Sequence, residues 1–297
     1  MRETTRRASA AATAVAVMSM AALAYPAPAM ATAPRYGEYV ALGDSWSADA
    51  TGSQITTEFV PATCAQSAHN YPKQVAAALS IPVFRDATCS GAVTANMTAP
   101  QATELSVTPP QFDMLTATTD LVTLGIGGND AALSKTVSTC LTTDPAATPC
   151  LDKMTSGGVD RMSEAIAAAA PRVGAAITGI RQRAPHARIL LLDYFQGVGA
   201  TGCFPRIPIS DPDAVWLSDK LRELHAMLAR TAADAGADFV DTYTASVGHD
   251  ACQEPGVRWA EGLIPFSDTP FGLAVPFHPN QLGADYQARR VLEAIGS

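Results

Sequence analysis

Five short runs, spaced along the chain and separated by helical patterns or loops, constrain its fold more than any other feature. They are Tyr39–Leu42, Ile81–Ala87, Asp120–Ile126, Arg188–Asp193 and Phe239–Asp241. Each is short for a helix, and most are near-continuously apolar, as strands buried on both faces are. Between and after them lie amphipathic helical patterns. Asn70–Leu79 puts Tyr71, Val75, Ala78 and Leu79 on one face, and a helix is expected to start near Ala131. Ser156–Arg183 is a long Ala-rich pattern with Pro171 near its middle, which predicts a kink or break. Pro212–Ala235 has Asp211 as its expected N-cap and Val215, Leu217, Leu221, Leu224 and Leu228 on its apolar side, with Gly236 as the stop. Gln281–Ile295 is the last helix. Thr51–Gln66, Val93–Asp113, Thr139–Pro149, Gly197–Pro208 and Thr242–Pro279 read as loops. The resulting order, β, α, β, β, α, β, α, β, α, predicts an α/β fold with a parallel sheet covered on both faces. No repeat, linker or composition break divides residues 32–297, so they are expected to form one domain.

Residues 1–31 read as a secretory signal peptide. Arg2, Arg6 and Arg7 precede an uncharged run from Ala10 to Ala24, and Ala29-Met30-Ala31 offers a cleavage site. The apolar run is too short to span a bilayer, and Arg6-Arg7 lacks the context of a twin-arginine signal. The chain is expected to be secreted, without stable membrane insertion. The signal holds three Arg and one Glu, so the remainder carries a formal charge of −10. That acidity argues against nucleic acid as a partner and against adsorption to anionic lipid.

Six cysteines follow the signal: Cys64, Cys89, Cys140, Cys150, Cys203 and Cys252. An even number in an exported chain favours three disulfides. Several connectivities are open, and pairing sequence neighbours is the choice adopted. No CxxC spacing exists and the histidines are scattered, which disfavours zinc. No metal and no cofactor are expected.

Three run ends carry polar groups suited to acyl transfer: Ser45 in Gly43-Asp44-Ser45, Gly91 in Cys89-Ser90-Gly91-Ala92, and Asn129 in Gly127-Gly128-Asn129-Asp130. A fourth, His278, precedes the last helix. Strand C-termini of a parallel sheet share one edge, so residues distant in sequence can converge there. A serine hydroxyl becomes nucleophilic when a base takes its proton, and histidine suits that role near neutral pH. The backbone N–H groups of Ser45 and Gly91 and the side-chain amide of Asn129 could bind the developing oxyanion. Losing one such donor costs about 3–4 kcal/mol.

These four blocks, ending in His278-Pro279-Asn280, stand in the order of the blocks of the SGNH (GDSL) hydrolases, and the chain most resembles secreted actinomycete lipases and esterases of that family. The resemblance implies a three-layer α/β/α sandwich with a five-stranded parallel sheet, the flavodoxin-like SGNH hydrolase fold. It also implies an enzyme, a carboxylic ester hydrolase working through an acyl-serine. In that mechanism Ser45 is the nucleophile, His278 the base, and Ser45, Gly91 and Asn129 the oxyanion hole. Relatives in the family pair three disulfides in sequence order, which supports Cys64–Cys89, Cys140–Cys150 and Cys203–Cys252. Two departures stand out. Trp46 replaces the family's Leu after the serine. Val275 stands where many members have the Asp that orients the histidine. A backbone carbonyl of Val275 or Pro276 is expected to take that role, with Asp268 as the alternative acid.

Other residues have plainer readings. Asp44 is expected to shape the turn and Asp130 to start a helix, while His69, His186, His225 and His249 are expected outside the chemistry. Trp259, Leu263, Ile264, Phe266, Phe271, Leu273, Val275 and Phe277 crowd one aperiodic loop, which either covers the sheet edge or forms an acyl groove. The expected partner is a small-molecule or lipid ester, handled by a monomer. A carbohydrate acetylesterase on the same fold is the nearest alternative. A metallophosphoesterase built on Asp44, Asn129-Asp130 and His249-Asp250 lacks the ligand array of a two-metal site, since Ser47 stands where a second Asp is needed. A non-catalytic binding protein is the remaining class. An α/β-hydrolase is disfavoured because no Gly-x-Ser-x-Gly elbow occurs.

Overall fold

A computed structural model describes residues 35–264, 266–268 and 271–296. The signal peptide expected over residues 1–31 lies outside the described residues. In chain order the elements are β1 (Glu38–Gly43), α1 (Tyr71–Ala78), β2 (Val83–Asp86), β3 (Gln101–Ala102), β4 (Val107–Thr108), β5 (Leu121–Gly125), α2 (Leu133–Thr139) and α3 (Pro149–Thr155). There follow α4 (Arg161–Arg183), β6 (Arg188–Leu192), α5 (Asp211–Ala235), β7 (Asp238–Val240), β8 (Phe266–Asp268), β9 (Phe271–Leu273) and α6 (Gln281–Gly296).

Five strands form one parallel sheet in the order β2-β1-β5-β6-β7. Successive side chains of a strand point to opposite faces, and each face has its own core. Val40, Leu42, Val122, Leu124, Ile189 and Leu191 pack with the apolar stripes of α4 and α5. Tyr39, Ala41, Leu121, Leu190, Leu192 and Val240 pack with α1 and α6. The result is a three-layer α/β/α sandwich. No described helix is long and apolar enough to cross a membrane.

Several helix details differ from the sequence reading. On α1, Ala76 is buried and Ala78 exposed. The long Ala-rich helix starts at Arg161, after Gly157 and Gly158 turn the chain at φ 85° and 79°. Asp160 caps it, accepting from the backbone N–H groups of Met162 and Ser163 at 3.0 and 3.1 Å. The helix then runs unbroken through Pro171. Pro171 and Ala167 both lie on the exposed side, so water can satisfy the carbonyl that the proline leaves without a donor. Ser210, not Asp211, caps α5. Val215 faces solvent, and Ala214 and Trp216 are buried instead.

Helix α3 was not expected at all. It is a two-turn segment held from outside: Cys150 is bonded to Cys140, and the buried Asp213 carboxylate accepts from the N–H groups of Cys150 and Leu151 at 3.2 and 3.0 Å. Two small antiparallel hairpins, β3-β4 and β8-β9, also interrupt stretches read as loops. All six cysteines are paired, Cys64–Cys89, Cys140–Cys150 and Cys203–Cys252.

Asp160 also accepts from Trp216 Nε1 and Lys220 Nζ of α5, both at 2.9 Å. Asp160→Ala should therefore remove a helix cap and two links between neighbouring helices. The expected loss is about 1–2 kcal/mol in urea unfolding, with ester hydrolysis retained.

Candidate active site

Gly43 and Gly125 end their strands side by side in register. The chain after β1 folds back tightly over them: a Cβ on Gly43 or Gly125 would lie 2.4 or 2.2 Å from Ser47 Oγ. Asp44 N–H donates to the Gly125 carbonyl at 3.0 Å, and the Asp44 carbonyl accepts from the N–H groups of Ser47 and Ala48 at 3.2 and 2.9 Å. This compact turn carries Ser45 at the C-terminal edge of the sheet.

Asp44 is wholly committed to the turn. Its Oδ1 accepts from Trp46 N–H at 2.9 Å, and its Oδ2 accepts from the Tyr194 hydroxyl at 2.5 Å. The same hydroxyl accepts from Gly128 N–H at 2.8 Å. Tyr194 lies just past β6, so it locks the tips of β1 and β5 together from a third strand. Burial pushes the Asp44 carboxyl up to about 7.

His278 reaches the serine from the other end of the chain. Ser45 Oγ donates to its Nε2 at 2.8 Å, and its Nδ1–H donates to the Pro276 carbonyl at 2.8 Å. The Val275 carbonyl instead takes the backbone N–H of His278, at 3.2 Å. Asp268 lies 3.8 Å from Arg258 and has no bond to His278. Partial burial makes the imidazolium costly and holds the His278 pKa below its ordinary value.

The backbone around the histidine is strained and firmly held. Phe277 sits in the left-handed region at φ 60°. Its N–H donates to the Glu261 carbonyl, while Glu261 N–H donates to the His278 carbonyl, both at 2.9 Å. Glu261 is buried and its carboxylate pairs with Arg258 at 2.8 Å. Such an over-determined surrounding is what lets an unfavourable φ persist. Asn280 extends the brace, donating to the Arg258 carbonyl at 2.9 Å and accepting from Gly283 N–H at 3.1 Å.

The other predicted donors belong to the same edge. Gly91 adopts φ 77°, a conformation that favours glycine. Cys89 N–H donates to the Gly43 carbonyl at 3.1 Å, which ties the Gly91 loop to the tip of β1. Asn129 Nδ2 donates to the Ala92 carbonyl at 3.0 Å, leaving its second amide hydrogen for another acceptor. Among the described residues, no acceptor meets the backbone N–H of Ser45 or of Gly91. Asp130 does not start α2. It accepts from the N–H and hydroxyl of Thr94 at 2.9 and 2.5 Å, steadying the segment after Gly91.

Beside the serine–histidine pair opens an apolar cavity of about 330 Å³. Trp46, Val198, Leu263, Pro276, Phe277 and His278 line it. Helical segments line it as well: Leu133 and Val137 of α2, Leu141 just past it, and Leu217 and Leu221 of α5. Of the apolar residues of the expected groove loop, Leu263 and Phe277 line the cavity and others do not. Trp259 stacks on His249 and Tyr286, and Ile264, Phe266, Phe271 and Leu273 face solvent. The i, i+4, i+8 spacing of Leu133, Val137 and Leu141 was the available signal for the helical part of the lining. Sequence reasoning also missed Tyr194, Glu261 and Arg258, which no motif marks.

Asp193, His225 and Asp241 bring possible metal-ligating atoms within 4.8 Å of one another. These groups serve one another as an ion pair: His225 Nδ1 lies 2.5 Å from Asp193 Oδ2, and that bond raises the histidine pKa. The remaining Asp193 oxygen accepts from Thr242.

The sequence model described as the GDSL-like Lipase/Acylhydrolase family matches residues 41–286. Lipase 2 of Streptomyces coelicolor is 35% identical over 268 residues, 87% of this chain and 86% of its own. A lipase of Streptomyces rimosus is 31% identical over 91% of this chain and 90% of its own. The crystal structure of phospholipase A1 from Streptomyces albidoflavus aligns with a TM-score of 0.68 at 25% identity, covering 88% of this chain and 98% of that one. That of the extracellular lipase from S. rimosus aligns with a TM-score of 0.67 at 26% identity, covering 86% and 99%.

Tyr194→Phe should leave the Gly128 N–H and the Asp44 carboxyl without their shared partner. Denaturant titration is expected to show a loss of about 1–3 kcal/mol.

Proposed function

As a member of the GDSL-like Lipase/Acylhydrolase family this chain is a carboxylic ester hydrolase, and we propose that it works through an acyl-enzyme formed on Ser45. The observation that carries this reading is the bond chain Ser45 Oγ to His278 Nε2 to Nδ1 to the Pro276 carbonyl, 2.8 Å at each hydrogen bond. The carbonyl fixes the proton on Nδ1 and leaves the Nε2 lone pair facing the hydroxyl.

In the first half-reaction Ser45 Oγ bonds to the ester carbonyl carbon while His278 Nε2 takes the hydroxyl proton. The carbonyl oxygen becomes an oxyanion, bound by the N–H groups of Ser45 and Gly91 and the free amide hydrogen of Asn129. The carbon–alkoxy bond then breaks, and His278 gives its proton to the leaving oxygen. Water repeats the sequence on the acyl-serine, with His278 as base, and releases the carboxylic acid.

The apolar cavity beside Ser45 supports an acyl chain as the recognised part of the substrate, and hence lipid esters over sugar acetates. Secretion fits the N-terminal pattern of residues 1–31 and the three disulfides. Residues 32–297 are then the mature enzyme.

Ser45→Ala, assayed beside the wild type on p-nitrophenyl esters of rising chain length, phospholipids and acetylated sugars, tests the reading. Hydrolysis should fall at least about 10³-fold with unchanged thermal stability. Unaltered hydrolysis would overturn the serine mechanism, and activity confined to acetylated sugars would overturn the lipid assignment. The pH profile gives a second check. The reaction needs neutral His278, and burial disfavours its charged form, so activity should persist below the ordinary histidine pKa of 6.5. The acid limb of kcat/KM should have its midpoint under that value.

A further inference from the structure

The β8-β9 hairpin is built inside out for a water-facing element. Its cross-strand pairs are Phe266 with Leu273, Ser267 with Gly272, and Asp268 with Phe271. Alternation puts Ser267 and Gly272 on one face and Phe266, Phe271, Leu273 and the carboxylate of Asp268 on the other. The small face is the inner one. Leu273 backbone accepts from Gly52 N–H at 3.2 Å and from Ser53 Oγ at 3.0 Å, and a Cβ on Gly272 would come within 2.7 Å of Ser53 Oγ. The hairpin therefore lies flat on the loop that follows Ser45. Its outer face leaves Phe266 47%, Phe271 80% and Leu273 51% exposed, and the nearby Ile264 is 73% exposed. Water alone would favour polar residues at these positions, because an exposed apolar hairpin face invites association.

We propose that this face is a docking surface for the lipid–water boundary of a neutral or zwitterionic lipid aggregate. The proposal rests on the acyl-ester reading above, and two observations select the occupant. First, one chain segment carries both the patch and the acyl cavity: Leu263 before the hairpin and Pro276, Phe277 and His278 after it line the cavity. The exposed side chains thus stand on the same segment of chain whose two ends line that cavity. Second, the charge is wrong for an anionic surface. The chain has a formal net charge of −8, and Asp268, the hairpin's only described charge, lies near Arg258. Binding has to come from burying aromatic and aliphatic side chains at the head-group level, the mode that interfacial apolar faces use.

The double variant Phe266→Ser, Phe271→Ser tests this, with Phe271→Ser alone as the milder control. In the Ser45→Ala background, which cannot consume the probe, co-sedimentation with phosphatidylcholine vesicles should fall at least about ten-fold in the double variant. In the Ser45 background, hydrolysis of dissolved p-nitrophenyl butyrate should stay within about two-fold of wild type, while hydrolysis of an emulsified triglyceride falls at least about ten-fold. Equal sedimentation of both proteins, or none by either, overturns the proposal. So does a dimer in light scattering that the double variant abolishes, because the face would then serve a second copy. Should Ser45→Ala retain hydrolysis, only the acyl-serine reading fails, since sedimentation needs no turnover.

Discussion

A neutral acceptor holds the histidine, and the rest of the site is arranged around that fact. The Pro276 carbonyl can fix the imidazole tautomer, but it brings no negative charge to stabilise an imidazolium. Position must then do what charge does elsewhere. The carbonyl sits on a segment pinned by two reciprocal backbone bonds to Glu261, with Phe277 held at φ 60° between them. Arg258 braces Glu261 and Asn280 braces the segment's far end. A mobile loop would let the ring swing away from Ser45, since a single neutral hydrogen bond contributes only about 1 kcal/mol net.

The serine side is fixed by comparable means. Tyr194 joins Asp44 to Gly128, and the glycine pair at the tips of β1 and β5 lets the turn after Ser45 press onto the sheet. The two halves of the pair are rigid separately and meet across a single 2.8 Å contact. The apolar cavity opens beside that contact.

Much of this was legible in the sequence because it follows from strand geometry. Short buried runs ending in Gly-Asp-Ser, Ser-Gly-Ala and Gly-Gly-Asn predict a parallel sheet whose tips share one edge, and the family resemblance marks Val275 as standing where many members have an acid. What was not legible depends on contacts that no local pattern encodes. Tyr194 bonds a residue 150 positions away. Helix α3 is held by a disulfide and by Asp213 rather than by its own periodicity. The dense apolar loop before His278 could not be divided by inspection: inner and outer residues separate only once Gly272 and Ser53 show which side of the hairpin is pressed against the protein.

The wall of the acyl cavity carries a consequence of its own. Leu133 and Val137 stand on a short helix whose last turn runs into Cys140, bonded to Cys150 at the start of α3. Just past it, Leu141 bridges to Ile209, immediately before the cap of α5. The contact between Ser45 and His278 does not involve this bond, but the residues lining the cavity beside it adjoin it. The geometry of the cavity is in this sense tied to compartment chemistry. Reduction of Cys140–Cys150 would remove the covalent tie between the end of α2 and the start of α3, on one side of the cavity, while the hydrogen bonds from Ser45 to Pro276 involve no cysteine.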